Sequence, residues 1–413
     1  MKSNYKRLGP YIRQVDKRNK DDKRDNLLGV SVTKEFIKSI ANTVGTDFTK
    51  YKVVKKNQFT YIPDTSRRGD KIAVALLENE EDGLVSQAYT VFEISDTNSL
   101  LPEYLMMWFK RPEFDRYARF ISHGSVREIF SWEDMCDVEL PIPSIRKQTE
   151  IVNQYKTIQD KINQNNSIIQ KVEETTHAIY KQWFVDFEFP NENGDPYRSS
   201  GGAMEFNEEL DQEIPLEWTV GSIGDYTKVK SGYAFKSDLW EQYGIPVIKI
   251  GSIHNNTIDF NQVAYINENK MALAANYKVS KGDIVIAMTG ATIGKIGIVP
   301  DLNENILVNQ RVGMFDLCDN PLEKAPFLYF TLLQPYVLDE IQNNGGDSAQ
   351  ANISSTDIEK IQLLFPESSL INKFNKIGRP VLNIMLSKIK ENRLLIETEN
   401  IMLSNLTKRG DAL

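Results

Sequence analysis

The sequence has little cysteine and little histidine. Its two cysteines, Cys136 and Cys318, lie far apart and form no C-x-x-C pair, which excludes a disulfide scaffold and a zinc knuckle and suits a reducing compartment. Its three histidines, His123, His177 and His254, show no H-x-x-H or H-E-x-x-H spacing, so a histidine-rich metal site is not expected. No apolar run approaches the roughly 20 residues needed to cross a bilayer. The basic opening, MKSNYKRLGPYIRQVDKRNK, lacks the apolar stretch of a secretory signal, so a cytoplasmic chain without a membrane partner is expected. What is present is ordinary globular material: 413 residues, 41% apolar, 10% aromatic and 26% charged, enough for two or three domains with real cores.

The formal net charge of −8 is local. Residues 186–213 hold nine acids against one base, Arg198, and so carry −8 on their own. Residues 1–24 hold nine bases and three acids, a local +6. Net charge therefore does not exclude a nucleic-acid partner.

The chain repeats itself at a period near 223 residues. GLVSQAYTVFEI (83–94) matches ILVNQRVGMFDL (306–317), placing Val85, Gln87 and Phe92 on Val308, Gln310 and Phe315. EYLMMWF (103–109) matches PFLYFTL (326–332), and EDMCDVELPIP (133–143) matches TDIEKIQLLFP (356–366), with Asp134 on Asp357. YKVVKKNQFTYI (51–62) resembles YKVSKGDIVIAM (277–288). Four blocks in one order at nearly one offset describe two copies of one unit. Glycine-punctuated β-branched stretches beside helical patches such as 102–120 read as an α+β unit of about 145 residues.

A long helix ends each copy. After Pro143 no Gly or Pro occurs for about forty residues. Ile151, Tyr155, Ile158, Ile162, Asn165, Ile169, Val172, Thr176, Ile179 and Trp183 step by three and four, a coiled-coil seam. The repeat offset carries it to Phe374, Gly378, Val381, Met385, Lys388, Asn392, Leu395, Glu399, Met402 and Leu406. Pro380 is expected to break or kink the first turns of that second helix. Ile384, Ile389 and Ile396 suggest that its stripe drifts. Each seam needs a partner, and the other helix, parallel or antiparallel, is the nearest. Asn165 suits a register-fixing polar seam position. Trp183 and Phe184 suit packing on the other helix or on a partner subunit.

The layout resembles the specificity subunits of type I restriction–modification systems. The resemblance is carried by IPLEWTVGSIGDYTKVKSGYAF (214–235), GIPVIKIGSI (244–253), MTGATIGKIGIV (288–299), LVNQRVGMF (307–315) and ISSTDIEKIQLLFP (353–366), with RKQTEIV (146–152) like the start of the family's central helical region. The first unit has YIPDTSRRGDKIAVA (61–75) in place of the TGATIGK block. The resemblance implies a target-recognition domain at 1–143, a central helix at 144–185, an acidic linker at 186–213, a second target-recognition domain at 214–366 and a C-terminal helix at 367–413. It implies a non-catalytic reader of double-stranded DNA, each globular domain taking one half of a split asymmetric site. The helices would set the spacing and dock two methyltransferase (modification) subunits, and motor-nuclease (restriction) subunits would join. S-adenosylmethionine, ATP and Mg would belong to those partners, with no cofactor in this chain.

The residues agree on the absences. No N-P-P-Y or D-P-P-Y segment is present to hold a flipped adenine. TGATIGKI is a phosphate loop only superficially, because Thr289 stands where the first Gly belongs and Ile296 where Ser or Thr would bind Mg. A self-contained nuclease–methyltransferase is thereby disfavoured, and a coiled-coil scaffold with two heads and no DNA function is the competing reading.

Base edges are read by Arg or Lys on guanine and Asn or Gln on adenine, while phosphates take cations, hydroxyls and glycine-turn amides. On that basis Arg67, Arg68 and Lys71 form a basic turn, suited to phosphate or simply to solvent. His123, Ser125 and Arg127 stand at the same place in the first copy as Asn343, Asn344 and Gln350 in the second. Thr289, Thr292 and Lys295 flank glycines. Gln87 and Gln310 are matched, as readers or as structural hydrogen bonders, and Arg311 adjoins the latter. Lys249 and His254 lie near a strand end, as readers or as plain surface.

Overall fold

β-Branched and aromatic residues in short glycine- and asparagine-bounded runs give ten strands among the described residues of the first 141 positions. They are β1 (Tyr5–Arg7), β2 (Ile12–Val15), β3 (Leu28–Val30), β4 (Phe36–Lys38), β5 (Lys52–Lys55), β6 (Phe59–Tyr61), β7 (Val74–Leu76), β8 (Asp82–Val85), β9 (Thr90–Ile94) and β10 (Glu139–Pro141). Helices α1 (Pro102–Phe109), α2 (Pro112–Ser122) and α3 (Trp132–Asp137) fall between β9 and β10. The coordinates are a computed structural model, which describes residues 5–40, 45–65, 71–122, 128–302, 304–345 and 351–407. Residues 1–161 and 395–413 form one unit, and 162–394 form a second.

In the first unit β2-β9-β6-β7 make an antiparallel sheet, with β5-β8, β3-β4 and β1-β10 as two-stranded ribbons. Phe59 lies opposite Phe92, their rings stacked at 4.8 Å, and Phe109 meets both edge-on. Phe114 and Phe130 complete this buried aromatic core. α2 opens on Pro112, whose missing N–H costs nothing in a first turn. α3 opens on a capping box, in which Asp134 N donates to Ser131 Oγ (3.1 Å) and Ser131 N donates to Asp134 Oδ2 (2.9 Å).

α4 (Ile145–Phe184) follows. The second unit then holds β11 (Met204–Asn207), β12 (Gln212–Pro215), β13 (Thr219–Ser222), α5 (Ile223–Tyr226), β14 (Val229–Ser231), β15 (Trp240–Glu241), β16 (Ile245–Ile248), β17 (Ile253–His254), β18 (Thr257–Ile258) and β19 (Ala264–Ile266). It continues with β20 (Lys278–Val279), β21 (Ile284–Ala287), β22 (Ile296–Ile298), β23 (Ile306–Val308), β24 (Val312–Phe315), α6 (Ala325–Leu332), α7 (Pro335–Asn344), α8 (Ser355–Glu359) and β25 (Gln362–Phe365), before α9 (Ser368–Asn405).

The topology repeats with the sequence. β14-β24-β21-β22 pair as β2-β9-β6-β7 do, β20 pairs with β23 as β5 with β8, and β13 with β25 as β1 with β10. The second unit enlarges this plan. β22 continues through β18 to β17, and β23 through β16 and β19 to β15. Asp357, the match of Asp134, likewise stands in a capped first turn: Ser354 is the cap, and its Oγ accepts from Asp357 N (3.1 Å). The chain is thus α+β, with two like units and two long helices.

Residues 186–213, expected as a linker, carry structure. Phe187 is buried against Trp218, Phe189 stacks between Tyr197 and Trp218, and 204–215 form the β11-β12 hairpin.

All ten seam positions of α4, including Ile151, Tyr155, Ile158, Ile162, Ile169, Val172, Ile179 and Trp183, are buried or half-buried. The same holds for the nine matched positions of α9, including Val381, Met385, Leu395 and Met402, and for Leu406 just after it. Within the second unit the helices run antiparallel, since Asn165 meets Asn392 while Tyr180, Trp183 and Phe184 meet Phe374. Within the first unit Tyr155 Oη donates to Glu399 Oε1 (2.6 Å). The break expected at Pro380 does not occur: α9 runs on through this exposed position. Of the three isoleucines that suggested a drifting stripe, Ile384 and Ile396 are exposed and Ile389 is half-buried, while the seam positions stay covered.

Candidate nucleic-acid interface

The strand β6 of the first unit and β21 of the second each run into a loop held by the same three contacts. In the first unit Thr65 N donates to Glu128 O (3.0 Å) and Phe130 N to Pro63 O (2.9 Å), around an antiparallel bridge of Asp64 with Ile129. In the second, Gly290 N donates to Ala351 O (2.9 Å) and Ile353 N to Met288 O (3.0 Å), around a bridge of Thr289 with Asn352. This short ladder ties the loop after the central strand to the segment that leads into α3 or α8. The two tied loops are those that the repeat pairs as candidate DNA readers. Arg67, Arg68, His123, Ser125, Arg127 and Gln350 lie outside the described residues.

In the first unit the far foot of the 62–73 loop is held by a buried ion pair. Lys34, a left-handed residue (φ 67°), donates from Nζ to Asp115 Oδ1 on α2 (2.5 Å) and to Ile72 O (3.2 Å). Asp115 Oδ1 also accepts from Ile72 N (3.1 Å). Burial lowers the pKa of Lys34, and the attraction and hydrogen bond of Asp115 oppose that shift. Lys71, next to this foot, is exposed. At the ladder, the guanidinium of Arg119 grips both oxygens of Glu128 (2.5 and 3.3 Å).

In the second unit Thr289, Gln310 and Arg311 line one cavity of about 700 Å³. Ser231, Ser354 and Thr356 line it too, hydroxyls that sequence reasoning passed over. Among the described residues the buried Oγ1 of Thr289 has no hydrogen-bond partner. Gln310 and Arg311 are exposed on the turn between β23 and β24, and Gln87 is exposed on the matching turn between β8 and β9. Among the described residues neither glutamine side chain has a hydrogen-bond partner.

Thr292 Oγ1 donates back to Thr289 O (3.1 Å), and Lys295 is exposed. The 290–292 turn leads into β22 rather than a helix, so the loop lacks the helix start of a nucleotide-binding phosphate loop. Gly294 (φ 85°) packs so closely on α7 that a Cβ there would lie 2.5 Å from Leu338 Cδ1. Lys249 is exposed with Nζ 4.8 Å above the Trp240 ring, and His254 is exposed. Asn343 and Asn344 are exposed at the end of α7, and Asn344 Nδ2 donates to Glu340 O (2.9 Å). The aromatic pair at the end of α4 joins the second unit's core: Trp183 meets Phe374, and Phe184 meets Phe327.

Among the described residues no cluster of His, Cys, Asp and Glu is arranged to hold a metal, and no helix is long and apolar enough to cross a membrane.

Known proteins share this plan. The chain is similar to the type I restriction enzyme HindI specificity subunit of Haemophilus influenzae, 22% identical with 86% of each chain covered. It is similar also to the MjaIX specificity subunit of Methanocaldococcus jannaschii, 25% identical over 75% of this chain and 69% of the relative. The crystal structure of a type I restriction-modification S subunit from M. genitalium shares the fold, with a TM-score of 0.54 and 16% identity over 97% of this chain and 95% of that one. The profile of the type I restriction modification DNA specificity domain matches residues 2–174 and again 215–373, which cover both copies of the repeat. With most of its length matched in two successive copies, the chain belongs to the type I restriction modification DNA specificity domain family.

Proposed function

We propose that each unit reads one half of a split, asymmetric site in double-stranded DNA. The observation that carries this reading is the repeated ladder, which ties two loops in each unit; Gln310 lines one cavity with the ladder residues Thr289 and Asn352, and Gln87 is exposed on the matching turn of the first unit. Amide side chains at a groove edge discriminate bases, and the neighbouring Arg311 and Lys71 supply cations for phosphate or guanine. The helices α4 and α9 set the spacing of the half-sites and dock two modification subunits. The chain itself is non-catalytic. S-adenosylmethionine, ATP and Mg act on the modification and motor-nuclease partners, and the assembly works in the cytoplasm. A scaffold without DNA function is not favoured by the family to which the chain belongs.

Salt titration of DNA binding tests this. A reader that neutralises Z phosphates gives log K against log salt a slope near −0.9Z. A steep linear slope, with a specific site preferred over random DNA, is expected. Flat, weak binding to every duplex would overturn the reading.

A further inference from the structure

The two units present opposite chemistry at one matched place. Pro112 of α2 aligns with Pro335 of α7, and buried positions coincide along both helices: Phe114 with Val337, Ala118 with Ile341, Ser122 with Gly345. The ladder extends the same offset of 223 to Ile129 and Asn352, since the bridges Asp64–Ile129 and Thr289–Asn352 correspond. Three exposed positions then differ together. Phe120, Ile121 and Ile129 in the first unit stand where Asn343, Asn344 and Asn352 stand in the second. Phe120 is 78% exposed, Ile121 38% and Ile129 40%. Single exposed apolar residues need no explanation, but three of them flanking one tied loop, each replaced by asparagine in the sister unit, do.

Building on the DNA-reading function, we propose that Phe120, the most exposed of the three and flanked by Ile121 and Ile129, packs against a thymine methyl group in the half-site read by the first unit. An asparagine at this position reads a base edge by hydrogen bonds, adenine above all. A like docking of the first unit brings Phe120 to the same groove edge. The apolar group offered there by B-DNA is the C5-methyl of thymine. An aromatic ring at such an edge has nothing to donate or accept, so its discrimination comes from burying that methyl. The first half-site therefore contains at least one thymine whose methyl is needed.

The full chain, assembled with its modification subunits, is titrated with duplexes in which deoxyuridine replaces thymine in one half-site and then in the other. Uridine keeps the pairing and removes only the methyl. Loss of one contacted methyl is expected to lower affinity about fourfold, which corresponds to about 0.8 kcal/mol per buried carbon group. The loss is expected in one half-site, and Phe120→Asn is expected to bind thymine and uridine duplexes equally there. Asn343→Ala is expected to leave that methyl sensitivity in place. Phe120 is exposed and its replacement spares the core, and a melting curve checks this. Wild-type affinity that is indifferent to uridine in both half-sites overturns the inference, as does a Phe120→Asn protein that keeps the sensitivity. A Phe120→Asn protein that loses its modification subunits but keeps methyl sensitivity assigns the patch to a protein partner and also overturns it. Absence of any sequence-preferring binding by the wild type would instead overturn the functional reading beneath it.

Discussion

Asn165 donates a 2.9 Å hydrogen bond to Asn392 Oδ1 between the antiparallel helices of the second unit, and Asn392 donates one of 2.8 Å to Asn166 Oδ1. The Oδ1 of Asn165 is buried without a partner among the described residues. Such a polar layer specifies register at a cost in stability. An unsatisfied buried carbonyl costs about 1–3 kcal/mol. Replacing both Asn165 and Asn392 by Leu is expected to raise the melting temperature, by about 2–4 °C per kcal/mol recovered. Thermal unfolding of the double variant measures this, and a lowered midpoint would contradict it.

The Lys34–Asp115 pair predicts a large single-residue effect. Asp115→Ala strands a buried ammonium and frees the N–H of Ile72. Breaking a buried pair in this way costs about 3–5 kcal/mol. Urea unfolding is expected to show that loss in the first unit, while Asp115→Asn, which still accepts from Ile72 N, loses less. Equal losses for the two variants would show that the charge is not what matters.

Asp283 gives a pH signature. Burial pushes its carboxyl up from 3.8; Ser280, which donates to Oδ2 from N (2.7 Å) and Oγ (3.1 Å), pulls it down, and Asp316 adds to the rise. A raised folded-state value means that the native protein holds the proton where the unfolded chain has lost it. Stability from this group is therefore full below about pH 4 and falls as pH rises through the raised value. Asp283→Asn removes that fall. The variant is expected to gain on the wild type between about pH 4 and pH 7 in urea midpoints, and parallel curves would contradict the assignment.

Arg311 and Gln310 separate phosphate contact from base reading. Arg311→Ala is expected to flatten the salt slope by about one unit if its partner is phosphate. Gln310→Ala is expected to cost about 1–3 kcal/mol on the specific site and relax one base position, with the slope unchanged. Competition binding with single-base variants of the site measures both, and a uniform loss for Gln310→Ala would place it on the backbone.

The repeat made the architecture legible, because matched blocks carry matched strands and helices. The seam could be read because a 3.5-residue period is local. Pro380 misled over a break because sequence shows a missing N–H but not that the proline sits on the helix's exposed side. Of the residues that suggested drift, Ile384 and Ile396 lie on the exposed side and Ile389 is half-buried, which an apolar pattern alone does not distinguish. The ladder and the Lys34–Asp115 pair were invisible, since they join residues 65 and 81 positions apart with no periodic trace. The cavity's Ser231, Ser354 and Thr356 were passed over for the same reason. Phe120 was legible in principle, once the offset was carried residue by residue into α2 and α7.

The central claim, that this chain chooses the DNA sequence acted on by a modification partner, is tested most directly by long-read adenine-methylation sequencing of host DNA with and without the gene. Loss of a single split motif on deletion is predicted, with both half-sites and their spacing restored by the intact gene. A methylome unchanged by deletion, in cells where the chain and its modification subunits are made, would contradict the account.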